Sequence, residues 1–273
     1  MTAPKPGPEA VPVVVRRGGE ADSVLWEPSE RRVRATAGEI TVVDSGRAVL
    51  VWEPGRPVPL YAFPAEDVRT DLLRRTERPA GPRRHAGSTV FYDLVLPDRT
   101  VGAAAWTYPG EDLAGHIGFE WFGREVLDHW YEEDEEIFVH PRDPHKRVDA
   151  LPSSRHVRIE IDGTVVADTR APVLLFETGL PVRFYLPRED VRLGLFTPTD
   201  GRTRCPYKGV ASEYWSWAGD ADVRPGIAWS YPDPLPAVGI IKDRVAFYDE
   251  SVDVVVDGVR RERPVTYFSR PAR

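Results

Sequence analysis

Arg170-Ala171-Pro172-Val173-Leu174-Leu175-Phe176-Glu177 restates, with one insertion, Arg47-Ala48-Val49-Leu50-Val51-Trp52-Glu53. The likeness continues in order on both sides. Pro57-Val58-Pro59-Leu60-Tyr61 matches Pro181-Val182-Arg183-Phe184-Tyr185, and Pro64-Ala65-Glu66-Asp67-Val68-Arg69 matches Pro187-Arg188-Glu189-Asp190-Val191-Arg192. His85-Ala86-Gly87 stands opposite Tyr207-Lys208-Gly209, and Ala105-Trp106-Thr107-Tyr108-Pro109 opposite Ala228-Trp229-Ser230-Tyr231-Pro232. Offsets stay between 122 and 124 residues. A period of that length is a duplicated domain and not a solenoid. The expected plan is a tail over 1–22, a first repeat over 23–147, a second over 148–262 and an extension over 263–273. The polar, proline-punctuated His140–Arg147 reads as the linker, and Phe119–Ile137 as an insertion in the first repeat.

Within each repeat the patterning is that of strands. Val157-Arg158-Ile159-Glu160-Ile161 alternates, meets Asp162-Gly163 and continues as Thr164–Ala167, a hairpin. Val173–Phe176 is a short apolar run, expected as a buried strand, and Val182–Tyr185 is another. Strands are also expected around Gly209–Trp217, Gly226–Ser230, Val245–Tyr248 and Ser251–Asp257. A single helical turn is expected after Pro187, where proline and acids suit a first turn. Glu66–Arg75 reads as a longer helix, with Val68, Leu72 and Leu73 on one face. With 27 prolines and 22 glycines, the fold class is all-β with short helices.

Composition narrows the functions. Hydrophobic residues make up 41% of the 273 residues and charged residues 29%, a globular balance. The net charge of −7 argues against general nucleic-acid binding, which needs a basic face. No apolar run reaches membrane-spanning length, and the Pro-rich start lacks the core of a signal peptide. One cysteine excludes an internal disulfide, and a cytoplasmic setting fits.

The chemistry gathers in the second repeat. Cys205-Pro206-Tyr207-Lys208-Gly209 sets the lone cysteine three residues before a lysine, with Tyr214 and Trp215 close behind. A cation beside a thiol favours the reactive thiolate, so Cys205 is a candidate nucleophile, set against the small buried hydrophobe that a lone cysteine often is. Lys208 is a candidate binding or catalytic cation, set against a structural salt bridge. Arg170 with Glu177, Tyr185 and Asp190 forms a second constellation. Arg170 would take an anionic group and Glu177 would position it or move a proton; a structural ion pair between strands is the alternative. Arg47, Glu53, Tyr61 and Asp67 echo it in the first repeat. Tyr207, Tyr214, Trp229 and Tyr231 are candidate walls of a small-ligand pocket, or core. His140, Asp143 and His145, with His116 and His129 nearby, invite a metal, but linker histidines rarely converge, and neither metal nor cofactor is expected. The acids Glu132–Glu136, beside Trp121, Trp130 and Tyr131, read as a solvated surface.

The run Cys205-Pro206-Tyr207-Lys208-Gly209, Tyr214-Trp215 and Trp229-Ser230-Tyr231-Pro232, with Arg170, Phe176-Glu177, Tyr185-Leu186-Pro187 and Asp190-Val191, resembles the signature of domain-of-unknown-function family 427 in its tandem, actinobacterial form. The first repeat departs from it: Arg83 lies opposite Cys205, and His85-Ala86 replace Tyr207-Lys208. The resemblance implies two β-tent-like domains as a pseudo-twofold pair. A label attached to the family implies nucleotidyltransferase-like activity, but no Gly-rich phosphate loop supports it. Many β-tent proteins hold zinc through two cysteine pairs, which one cysteine excludes. The expected function is a small-molecule enzyme or ligand-processing protein taking a polar or anionic ligand in the second repeat, as monomer or homodimer. A non-catalytic binding or interaction module is the alternative.

Overall fold

In the computed structural model, residues 24–77, 90–108, 110–121, 126–218 and 223–269 are described. The expected N-terminal tail, and Arg83, His85 and Ala86, lie outside them. The chain divides into two compact units, Met1–Pro141 and Arg142–Arg273. Both are built from antiparallel strands and short 3-10 turns, the mainly-β tandem that the repeat predicts.

In the first unit, seven strands make one sheet. Their spatial order is Leu25–Pro28, Val49–Trp52, Leu60–Pro64, His116–Phe119, Thr100–Thr107, Phe91–Val95 and Leu73–Thr76. A four-stranded sheet follows the order Glu135–Ile137, His129–Glu132, Val33–Ala37, Ile40–Ser45. The second unit repeats this in smaller pieces. Val148–Pro152, Val173–Glu177 and Arg183–Tyr185 form one sheet, and a bridge from Leu186 to Val245 leads on to Val245–Phe247, Val223–Ser230, Glu213–Ala218 and Thr197–Thr199. Val259–Arg260, Asp253–Val256, Val157–Ile161 and Thr164–Thr169 mirror the first unit's smaller sheet. A three-stranded ribbon of Thr203–Cys205, Gly209–Ala211 and Asp233–Pro234 carries the Cys-Pro-Tyr-Lys-Gly turn.

The apolar runs that match between repeats are continuous because both faces of their strand are covered. In Val49-Leu50-Val51, Leu50 joins the core shared with Val33, Tyr61 and Phe63. Val49 and Val51 join a second core with Leu60, Trp106 and Tyr108. The second unit divides the same way: Leu174, Phe184 and Leu186 face one core, and Val173, Leu175, Tyr185, Trp229 and Tyr231 the other. Side chains alternate along a strand, so Glu177 continues the face of Val173 and Leu175, and Glu53 that of Val49 and Val51.

Three expectations are corrected. Glu66–Arg75 is not a helix. It holds two 3-10 turns, Ala65–Asp67 and Thr70–Leu72, and enters the strand Leu73–Thr76. Val68 bridges Val43 and the Arg69 amide donates to Val42 O, so the backbone is drawn to the neighbouring sheet in mid-segment. The stretch Phe119–Ile137, read as an insertion, carries strands with second-unit counterparts. Phe119 pairs with Ala105 as Phe247 pairs with Ala228, and Trp130 pairs with Ala35 as Val254 pairs with Ile159. The sequences diverge there while the strands persist, which hid the match. The acids of that stretch are not all solvated either. Glu132 is buried, accepting from the Tyr61 hydroxyl at 2.9 Å and from Arg31 at 2.9 Å.

Candidate functional site

The Cys205–Gly209 hairpin turns within three residues. Cys205 and Gly209 pair across it, and the Lys208 amide donates to Cys205 O. Gly209 has φ of +95° and packs against the backbone of Asp233 and Leu235, a conformation that a side chain resists. The turn delivers Lys208 to the end of the strand Val173–Glu177.

There one carboxylate meets two ammonium groups. Glu177 Oε2 accepts from Lys208 Nζ at 2.5 Å, and Oε1 lies 3.0 Å from Lys146 Nζ. The Glu177 side chain is 5% exposed, Lys208 13% and Lys146 26%. Lys208 is the deep partner and Lys146 the rim partner. Lys146 also sits over the Tyr207 ring, 5.5 Å from its centroid. The Tyr207 hydroxyl accepts from the Asp143 amide at 2.9 Å, and Arg142 Nε donates to Pro206 O at 2.9 Å. The stretch read as a linker is therefore built into the site at three residues: Arg142, Asp143 and Lys146.

Charge states follow from this packing. Burial opposes ionisation of Glu177, but Lys208 and then Lys146 outweigh it and hold the carboxyl below its usual range. Burial also opposes the charge on Lys208; Cys205 first, then Glu177 and Tyr185, overcome it and raise the ammonium above its ordinary value. Cys205 is partly exposed, and Lys208, Tyr185, Tyr207 and Tyr231 are its electrostatic neighbours. Burial pushes the Tyr185 hydroxyl up to about 12 and those of Tyr207 and Tyr231 higher. All three are neutral donors near pH 7. The Tyr185 and Tyr231 rings lie 6.4 Å apart, and Trp229 shares their core cluster.

Other candidates lie elsewhere or serve the scaffold. Arg170 is exposed, and Glu177 takes the two lysines instead. Asp190 accepts from Thr169 Oγ1 at 2.6 Å, while the Ala171 amide donates to that same oxygen. The first unit repeats this with Ser45, Asp67 and Arg47, so the motif locks a strand end to a 3-10 turn in both copies. Tyr214 lies in the aromatic core with its hydroxyl 2.5 Å from Thr203 Oγ1. Its ring leaves no room for a Cβ at Gly201. Among the described residues, no three His, Cys, Asp or Glu side chains converge as a metal would require; His140 Nδ1 lies 2.7 Å from Pro141 O.

Glu53 occupies Glu177's place in the first unit, with different company. Its fully buried side chain pairs with Arg56 at 2.8 Å, three residues on. Arg56 also binds Glu120 at 3.0 Å and lies 5.8 Å from the Trp106 ring centroid. Lys146 left no sequence signal as a site residue, because its partner is far along the chain and its neighbourhood is linker-like. Arg56 has no sequence signal in the repeat, because the matching position, Leu180, holds no cation.

One family model, described as a domain of unknown function (DUF427), matches the chain twice, over residues 25–133 and 149–258. No curated protein matches the chain.

Proposed function

Because the chain belongs to the DUF427 family as a tandem of two copies, whose activity that description leaves open, we propose that its second repeat binds a small anionic molecule at the Lys208–Glu177–Lys146 cluster. The observation that carries this reading is the two-to-one ratio of ammonium groups to the carboxylate they share. A partly buried surplus cation attracts an anion. Lys146 can turn to a ligand without stranding Glu177, which keeps Lys208. Tyr207 at the rim and the neutral hydroxyls of Tyr185 and Tyr231 supply donors to a ligand's oxygens.

Titration calorimetry with inorganic phosphate and with acetate tests this at low ionic strength. Saturable binding of at least one anion is expected, and Lys146→Met weakens it about tenfold, the loss of one charge-assisted contact. Identical heats for wild type and Lys146→Met reject the reading.

The directions of the charge shifts speak against Glu177 or Lys208 as proton shuttles near neutral pH, since each is held in its charged form. If the ligand is also processed, Cys205, three residues before Lys208 in the same hairpin, is the remaining nucleophile. Cys205→Ser then keeps anion binding and abolishes turnover. A ligand recovered unchanged from wild type supports binding alone.

A further inference from the structure

Behind the aromatic wall of the second repeat lies a second ionic cluster, centred on Arg183, opposite which the first repeat has Pro59. Arg183 is buried. Its guanidinium lies 5.8 Å from the Trp229 ring centroid, 5.7 Å from Tyr248 and 5.8 Å from Phe268. It bonds Glu250 at 2.6 Å and faces Asp249 at 3.4 Å. Two of these partners bring in the end of the chain. Thr266 Oγ1 donates to Glu250 Oε1 at 2.6 Å, and the Phe268 ring packs 5.6 Å from Tyr248. The Thr266–Ser269 turn is closed by its own hydrogen bonds. Packing then runs inward: Tyr248 lies 4.4 Å from Trp229, and Trp229 shares a buried cluster with Tyr185, Tyr231 and Ala211, the last being a strand residue of the Cys205 hairpin.

We propose that residues 263–269 form a strap over the outer side of this aromatic wall, and that its docking governs how firmly the wall of Tyr185 and Tyr231 holds the Cys205 hairpin packed on it. Contacts that hold the strap include the Thr266 hydroxyl, the Phe268 ring and the Arg263–Asp253 surface ion pair at 2.9 Å, while Val265 and Phe268 stay exposed. Such a hold opens locally at far lower cost than the core. Release removes Phe268 from Arg183 and Tyr248, and Trp229 loses its outer support. The device is independent of the ligand taken by the site.

Docking is also sensitive to protons. Asp249 lines a small cavity with Arg261, Glu262, Arg263, Pro181, Val182 and Pro264. Burial raises its carboxyl to about 6 against the pull of Arg183, with Glu250 adding to the rise and Arg261 opposing it. Undocking wets Asp249 and returns it toward 3.8. Its ionisation therefore favours the open strap, and docking weakens as pH rises through about 6.

The chain's single cysteine makes a clean reporter. Reaction of the full-length protein with a chromogenic disulfide reagent at pH 7 reads Cys205 alone, and hydrogen exchange of the 262–269 peptide reads the strap. Phe268→Ala and Thr266→Val are each expected to speed exchange of that peptide and to raise the Cys205 rate at least threefold. Thr266→Val, which keeps the ring packing, decides the matter if Phe268→Ala does not fold. In wild type, the peptide exchanges faster at pH 7.5 than at pH 5 after correction for intrinsic exchange. A freed strap with a Cys205 rate within 1.5-fold of wild type overturns the proposal, as does a 262–269 peptide that exchanges like free peptide in wild type.

Discussion

Lys208 and Lys146 share a carboxylate but differ in what their loss does. Removing Lys208 leaves Glu177, a nearly enclosed carboxylate, with only its rim partner. Lys208→Met is expected to cost about 3 kcal/mol in urea unfolding, the penalty of half-stranding a buried charge. Lys146→Met, at a more open position, costs under about 1 kcal/mol and shows its effect in anion binding instead. The pair also fixes a pH window. Glu177's lowered pKa contributes stability that is present above its ordinary 4.5 and lost as pH falls through the folded value. Lys208's raised pKa contributes stability that is full below 10.5 and lost as pH rises through the folded value above it. Melting curves of Glu177→Gln, compared with wild type, should therefore converge in acid. Lys208 was legible in the sequence because its turn motif is compact. Lys146 was not: nothing in Pro144-His145-Lys146 signals that a carboxylate thirty-one residues on will meet it.

Among the elements, the hydroxyl–carboxylate lock at the end of Thr164–Thr169 is duplicated in the first repeat while the lysine pair is absent from its counterpart of Glu177. Thr169→Val removes one partner of a part-buried hydrogen bond and is expected to cost about 1–2 kcal/mol, with anion binding unchanged. A loss of binding in Thr169→Val would return Asp190 to the site. Gly209→Ala forces a side chain into the left-handed region against the Asp233 backbone and costs about 1–2 kcal/mol by thermal melting. Most strands were readable because a period of two and Asp-Gly turns are local signals; Asp162-Gly163 and Asp257-Gly258 both take positive φ. Glu66–Arg75 was misread because its Val68, Leu72 and Leu73 spacing suits a helix, whereas the pull of Val43 on Val68 is tertiary.

Over the whole molecule, stability at neutral pH carries a cost at Asp249. Its carboxyl is raised to about 6, so its contribution is full below 3.8 and lost as pH climbs to about 6. Asp249→Asn is expected to raise stability at pH 7 by about 1–3 kcal/mol and to flatten the change between pH 4 and 6. A variant less stable than wild type at pH 7 contradicts this. The duplication itself was plain in the sequence, since both apolar faces of the matched strands constrain their residues. The different charge partners at Glu53 and Glu177 were not, because each depends on where distant loops return.

Glu177 is joined to a lysine thirty-one residues downstream and to another as far upstream, whereas Glu53 finds Arg56 within a single turn. The first repeat can neutralise its carboxylate as soon as a few residues have left the ribosome. The second has its rim partner Lys146 already made but must wait until Lys208 has been synthesised for its deep one, holding a half-matched charge beside an apolar strand in the meantime. Closing two long loops costs entropy before any contact rewards it. The second repeat is thus the later of the two to complete its fold, and the one whose nascent form depends more on the surrounding salt.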